Sequence, residues 1–395
     1  MMIEKIFTRL EEIYPETVRF RRDLHMHPEI SFQEVVTPQK IARFLIDLGI
    51  EVRTAVGGRG VVGILRGGKP GKRVALRADF DALPIQDEKD VSYKSTISGA
   101  MHACGHDVHT AALLSVAKVL SEVKEHISGE IVFIHQHAEE LTPGGAKAMI
   151  EDGCLDGVDV IYGAHVMSHM PVGEVGICSE AFSTAADEFE IEIHGKGGHG
   201  SEPHITVDPI VAGCQLVMNL QQIVSRRVDP QKSAVLTVGS FNGGQAPNVI
   251  PDSVKIRGTV RTFDEDVRDL MEASIGKMTK AVCDSADAEY DYTFLRDAPS
   301  MWNDPDETSR VEAVAKTVVD SEKVNRIAPM MGSEDFSYYQ QKVKGCYFLV
   351  GGKNPEINAV YPHHHPKFDV DEQAMITIGK VFIATVLDYL SKEAE

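Results

Sequence analysis

The chain has 395 residues, 43% of them hydrophobic and 25% charged, with a formal net charge of −19. That length predicts two domains, and the acidic balance argues against a general nucleic-acid binder, which needs basic surface to neutralise phosphates. No apolar run of about 18 residues predicts a membrane span, the N-terminus shows no signal-peptide pattern, and six scattered Cys without a CxxC read as reduced thiols of a cytoplasmic protein.

Residues 2–48 read as helices. Ile41, Phe44, Leu45 and Leu48 recur at helical spacing, and Gly49 stops the run. Gly67–Arg73 lacks the Ser/Thr of a phosphate loop and reads as a turn. Val74–Leu76 is a short apolar strand ending in Arg77-Ala78-Asp79-Phe80-Asp81. Val108–Val123 reads as a helix. Ile131–Ile134 is a buried-type strand that ends at His135–Glu140, and Val160–Ala164 is another that ends at His165. Between 184 and 296 the strands alternate apolar and polar residues instead. The order there is β-α-β-β-α-β, the split βαβ pattern. Tyr347–Val350 then resumes the apolar strands. The predicted fold is α/β: a mainly parallel sheet flanked by helices, built from 1–183 and 297–395, with an inserted ferredoxin-like domain at 184–296.

The chemistry-bearing residues cluster. Met101–His109 holds a thiol, three imidazoles and a carboxylate, the donors that hold divalent metals. Further groups stand at His135–Glu140, at His165 and at His363-His364-His365. Cys104 and His106 alone could be a buried thiol beside a capping histidine. Glu139-Glu140 alone could be an acidic loop. Together, and placed after strand ends where α/β sheets carry their sites, they read as one metal centre. Neighbouring carboxylates at a strand end point different ways, so one can bind metal while the other acts as a base. His199 lies in the glycine-rich loop Gly195–Ser201, and Asn248 in the loop Phe241–Asp252. Out of context both read as turns.

The ordered set of motifs resembles the M20 metallopeptidase family, in particular its amidohydrolase subgroup. The resemblance runs from Arg22–Glu29 through Arg77–Pro84, Met101–His109, Glu139-Glu140, Gly163–Val166, Gly197–Gly200, Asn248–Pro251 and Met331–Phe336 to His364–Phe368. It implies two divalent ions per subunit, Mn2+ or Zn2+ with Co2+ or Ni2+ as alternatives, held by Cys104, His106, Glu140, His165 and His364. It implies Glu139 as general base, and His199 reaching the site of a partner subunit in a homodimer or higher oligomer. Asn248 and Arg261 would meet the substrate, and Asp79, Asp81 and Asp107 would orient ligands. The subgroup commonly has an apolar residue at the position of His363, which leaves the choice between His364 and His365 open. Met167–Met170 also departs from the subgroup's pattern.

The resulting expectation is a binuclear amidohydrolase that cleaves N-acyl-L-amino acids. A dipeptidase or carboxypeptidase with the same centre is the near alternative. A non-catalytic metal-binding scaffold is the distant one.

Overall fold

The computed structural model describes residues 2–392, which form two compact units. One comprises Met1–Phe182, Trp302–Pro329 and Asp335–Glu395, and the other Ser183–Met301 with Met330–Glu334. The insertion expected at 184–296 is shorter than the second unit, which also takes up Ser183, residues 297–301 and the short excursion 330–334.

The larger unit is built on an eight-stranded sheet. At its centre Ser128–Gln136, Lys69–Asp79, Val160–Pro171 and Gly345–Lys353 run parallel. Gly60–Arg66 flanks them antiparallel on one side, with Glu51–Val56 antiparallel to it at the edge; Val175–Ile177 flanks them antiparallel on the other, with Val324–Arg326 parallel to it. The central strands are long apolar runs because both faces are covered. Helix His106–Ser121 is buried almost all round, and Ala374–Lys392 packs beside it. By composition Ala374–Lys392 is apolar enough to cross a bilayer, but most of it is buried in this core. Five of the seven residues of the predicted turn at Gly67–Arg73 are strand: pairing starts at Lys69.

The smaller unit has the order predicted for it. Strands Ala185–His194, Ala234–Gly243, Ser253–Thr262 and Glu289–Arg296 alternate with helices Pro209–Arg226 and Glu265–Ser285 in the β-α-β-β-α-β sequence. All pairings in the four-stranded sheet are antiparallel. Phe189, Ile191, Ile193, Val254, Ile256 and Val260 pack with both helices into a separate core. The opposite face is polar, with Glu190 bridging to Lys255 and Arg257.

Candidate metal centre

The four parallel strands of the larger unit share a direction, so their carboxyl ends line one edge, where open α/β sheets leave a crevice. Asp81 follows the strand Lys69–Asp79, and Glu139 and Glu140 follow Ser128–Gln136. His165 stands inside its strand and not after it, because Val160–Pro171 is longer than its apolar run. The ladder to Lys69–Asp79 ends at Gly163, while the ladder to Gly345–Lys353 continues past His165. His165 is therefore unpaired on one side at the crevice.

The candidate ligand atoms converge from all of these elements. Cys104 Sγ lies 3.4 Å from His165 Nε2. Glu140 Oε1 lies 3.2 Å from His364 Nε2 and 3.8 Å from His106 Nε2. Three groups each have their donor atoms within 4.8 Å of one another: Cys104–His106–His165, Cys104–Glu140–His364 and His106–Glu139–Glu140. Cys104, His106 and Glu140 each belong to two of these groups.

Hydrogen bonds around these rings select which nitrogen faces the centre. His106 Nδ1 donates to Asp81 Oδ1 at 3.0 Å, leaving Nε2 buried with no hydrogen-bond partner. His165 Nδ1 donates to the Val166 carbonyl at 2.8 Å, which again leaves Nε2 as the lone-pair nitrogen. His363 Nε2 donates to that same carbonyl at 3.0 Å, and its Nδ1 faces Ser168 Oγ at 3.3 Å. Val166 N–H donates to His109 Nε2 at 2.9 Å, and His109 Nδ1 donates to Asp79 Oδ1 at 2.6 Å. Both His109 nitrogens are thus engaged, and this ring is a strut between Asp79 and Val166.

Local backbone geometry sets the reach of two donors. Gly105 has φ 96°, and a Cβ there would sit 2.4 Å from Val166 Cγ1. Glycine is required between Cys104 and His106 for both reasons. His364 also has a left-handed backbone, at φ 63°, and its N–H donates to the Ala103 carbonyl at 2.8 Å. That bond ties the histidine run to the residue before Cys104. His365 turns elsewhere: its Nδ1 accepts from Lys367 N–H at 3.0 Å and its ring stacks on Tyr361.

The electrostatics are those of a site short of positive charge. Burial, then Glu140 and Glu139, hold the Cys104 thiol well above its ordinary pKa. Burial disfavours charge on His106, but Asp79, Asp81 and Glu140 outweigh it and raise its pKa to about 10. The contact with Glu140 raises His364 as well. Burial and the neighbouring rings push His165 well down. A divalent cation would relieve all of this at once: it favours the thiolate and displaces the proton on His106. The mixed N, O and S donors, with an unpartnered His106 Nε2 among them, fit that group.

The remaining candidate residues lie in the smaller unit. His199 pairs with Val249 in a short two-stranded ladder, and Gly200 N–H donates to the Asn248 carbonyl at 2.8 Å. His199 and Asn248 are therefore neighbours, and both are exposed. Ser201 N–H donates to His199 Nδ1 at 3.2 Å, with Ser201 Oγ at 2.7 Å. In the neutral ring the proton then sits on Nε2, which presents a donor. Arg261 is held by Thr259 Oγ1 and the Val260 carbonyl. It pairs with Ala186 at one end of Ser253–Thr262, whereas Ser253 pairs with His194 at the other. Eight residues of strand put those ends roughly 26 Å apart.

The sequence profile of Peptidase family M20/M25/M40 matches residues 75–388. This chain belongs to that family. Among curated relatives, it is 46% identical over 299 residues to the N-acyl-L-amino acid amidohydrolase of Geobacillus stearothermophilus, covering 74% of this chain and 80% of the relative. It is 40% identical over 380 residues to thermostable carboxypeptidase 2 of Saccharolobus solfataricus, covering 95% of each. Among solved structures it resembles the YXEP protein of Bacillus subtilis, described as a dinuclear metal-binding peptidase of the M20 family. There the TM-score is 0.84, with 32% identity over 96% of this chain and 99% of the other. The M20 chain is thus a hydrolase with a metal-binding architecture.

One expectation about this M20 centre needs correction. Asp107 does not orient a ligand. A helix turns about 100° per residue, so Asp107 departs from the direction of His106. Its Oδ2 instead ion-pairs with Arg21 Nε at 2.8 Å and accepts from His25 Nδ1 at 2.7 Å. Asp81 does support His106, while Asp79 holds His109 and Arg77. Sequence reasoning missed the Val166 carbonyl and the ring of His109 as a strut. Of these only His109 carried a signal, its place three residues after His106.

Proposed function

We propose that this protein is a two-metal amidohydrolase that cleaves N-acyl-L-amino acids to a carboxylate and a free amino acid. The observation that carries the reading is the convergence of Cys104, His106, Glu140, His165 and His364, with Cys104 common to two donor groups and Glu139 beside them. Those five residues would hold the two ions. When bound, such ions polarise a carbonyl and lower the pKa of water. The thiolate favours softer ions such as Zn2+ and the carboxylate tolerates Mn2+.

In this reading Glu139 takes a proton from the attacking water and passes it to the nitrogen of the leaving amine as the C–N bond breaks. The Nε2–H of His199 donates to the oxyanion that forms on the scissile carbonyl. Arg261 and Asn248 meet the substrate carboxylate and its neighbouring polar groups. The separation within the smaller unit bears on this assignment. His199 lies on its short ladder with Val249, five residues past His194 at the Ser253 end of the four-stranded sheet, while Arg261 stands near the other end; with about 26 Å of strand between those ends, one amino-acid-sized substrate is too short to span both. We infer that His199 serves the site of a second copy, so the working unit is at least a dimer. The free edge of Ala234–Gly243, with exposed Val235 and Phe241, and exposed Val211 and Met218 on the adjoining helix supply an apolar surface for that pairing.

The carboxypeptidase relative keeps peptides in view as the second reading. Metal-reconstituted protein should be assayed on acetyl- and benzoyl-amino acids beside dipeptides and longer peptides. Higher kcat/KM on the peptides would overturn the acyl-amino-acid assignment. Glu139→Gln should retain its metals and lose about 10² to 10⁴ in kcat, the usual worth of a general base. Undiminished turnover at full metal loading would remove Glu139 from that role.

A further inference from the structure

The backbone N–H groups of both residues next to Glu139 are held by buried carboxylates. On one side Ala138 N–H donates to Glu34 Oε1 at 2.9 Å. On the other, Glu140 N–H donates to Asp81 Oδ2 at 3.1 Å. Asp81 is already accounted for by its bond to His106. Glu34 touches no candidate ligand, yet its side chain is completely buried.

The Ala138 bond matters because of the backbone it holds. Ala138 has φ 50°, a left-handed conformation that a residue with a Cβ adopts only under constraint. Ala138 is itself fully buried, so its N–H has no water to fall back on. Remove the acceptor and the low-cost response is rotation of the peptide, and the next side chain in line is Glu139.

Glu34 is in turn held firmly. The carboxylate of Glu29 accepts from Val35, Val36 and Thr37 N–H at the start of helix Val36–Asp47. Ile30 bridges to Ala82, and Ser31 Oγ donates to Asp81 Oδ2 at 2.7 Å. Phe32, itself left-handed at φ 63°, sets its ring edge-on to His137. Segment 29–34 is thus pinned along its length.

We propose that Glu34 is a positioning residue for Glu139, acting through its acceptor oxygen on the Ala138 N–H. This rests on the reading of Glu139 as base. The length of the side chain and an acceptor at its end are what matter, and the negative charge is not.

Glu34→Gln and Glu34→Asp separate those properties. Gln keeps length and acceptor, and should hold kcat within about threefold of wild type. Asp keeps the charge but is one methylene short, and should lose about 10²-fold in kcat, the scale of a displacement near 1 Å. In both, metal content measured by mass spectrometry and KM should stay unchanged. Should Glu34→Asp not fold, Glu34→Met, equal in length and without an acceptor, carries the same expectation. Equal losses in Gln and Asp, the reverse order, or a loss of metal in step with kcat would each overturn the proposal. Combining Glu34→Asp with Glu139→Gln separates it from the reading beneath it. If Glu34 works through Glu139, the double variant is no slower than Glu139→Gln alone; multiplied losses reject the positioning role only. A fully active Glu139→Gln would sink the base assignment and the proposal with it.

Discussion

The two units treat their histidines differently. In the larger unit His106, His109, His165 and His363 are each oriented by groups distant in sequence or by backbone carbonyls, and the shell around them is buried. In the smaller unit His199 is exposed and takes its orientation from Ser201, two residues away on the same loop. A metal centre gains from ligands fixed before the ion arrives, since every ligand left loose adds ordering cost to binding. A donor that meets a substrate has the opposite need: it must stay accessible and complete the site when substrate is present. Fixed rings on one unit and a self-contained loop on the other suit the division of labour proposed for them.

The largest effect should come from the buried side. Asp107→Ala leaves Arg21 and His25 without their shared partner, and removing one member of a buried pair costs about 3–5 kcal/mol. Urea titration would measure it. Metal affinity should change little, because Asp107 faces Arg21 and His25 and no ligand. A collapse of metal binding at preserved stability would mean that Asp107 belongs to the centre after all.

His199→Ala should keep full metal loading and wild-type stability while kcat falls about 10²- to 10³-fold, the usual worth of one oxyanion donor. Mixing it with Glu139→Gln under subunit exchange then sharpens the comparison. If the histidine works on a second copy, mixed dimers regain one intact site and activity returns. No recovery despite proven heterodimers would place His199 at the site of its own chain.

A smaller loss, about 10- to 100-fold in metal affinity, is expected for Asp81→Ala, which frees His106 to turn. Calorimetric titration of the metal-free protein measures it, and unaltered affinity would show that packing alone holds the ring.

The mildest effect is a pH dependence. Burial lowers His135 to about 3 and His137 to about 4. Unfolded chains bind these protons near pH 6.5 while the native state refuses them. The native state is therefore fully favoured above pH 6.5 and loses stability as pH falls through the window toward 4. Melting temperatures of metal-free protein should fall across that window, and less steeply in His135→Gln. Equal slopes would assign the acid limb to other groups.

The classes of element and the chemistry they carry are legible in local patterns. Apolar runs of strand length mean strands covered on both faces, and strict alternation in Phe189, Ile191 and Ile193 means a sheet with one wet face. Those are local periodicities, so the parallel core and the β-α-β-β-α-β insertion are both legible without coordinates. So were the candidate metal donors, because thiol, imidazole and paired carboxylates are rare together. Only tertiary structure decided which atoms meet. Three consecutive histidines are equivalent on paper; a left-handed φ at residue 364 and one bond to Ala103 turn His364 toward Glu140 and leave His363 on Val166 and His365 on Lys367. Asp107 and His106 are adjacent in the chain but point about a quarter-turn apart on the helix. Glu34 reads as one more polar residue until it is found buried 104 positions from the amide it holds. Contacts across such distances depend on how finished elements pack, and no local pattern encodes that.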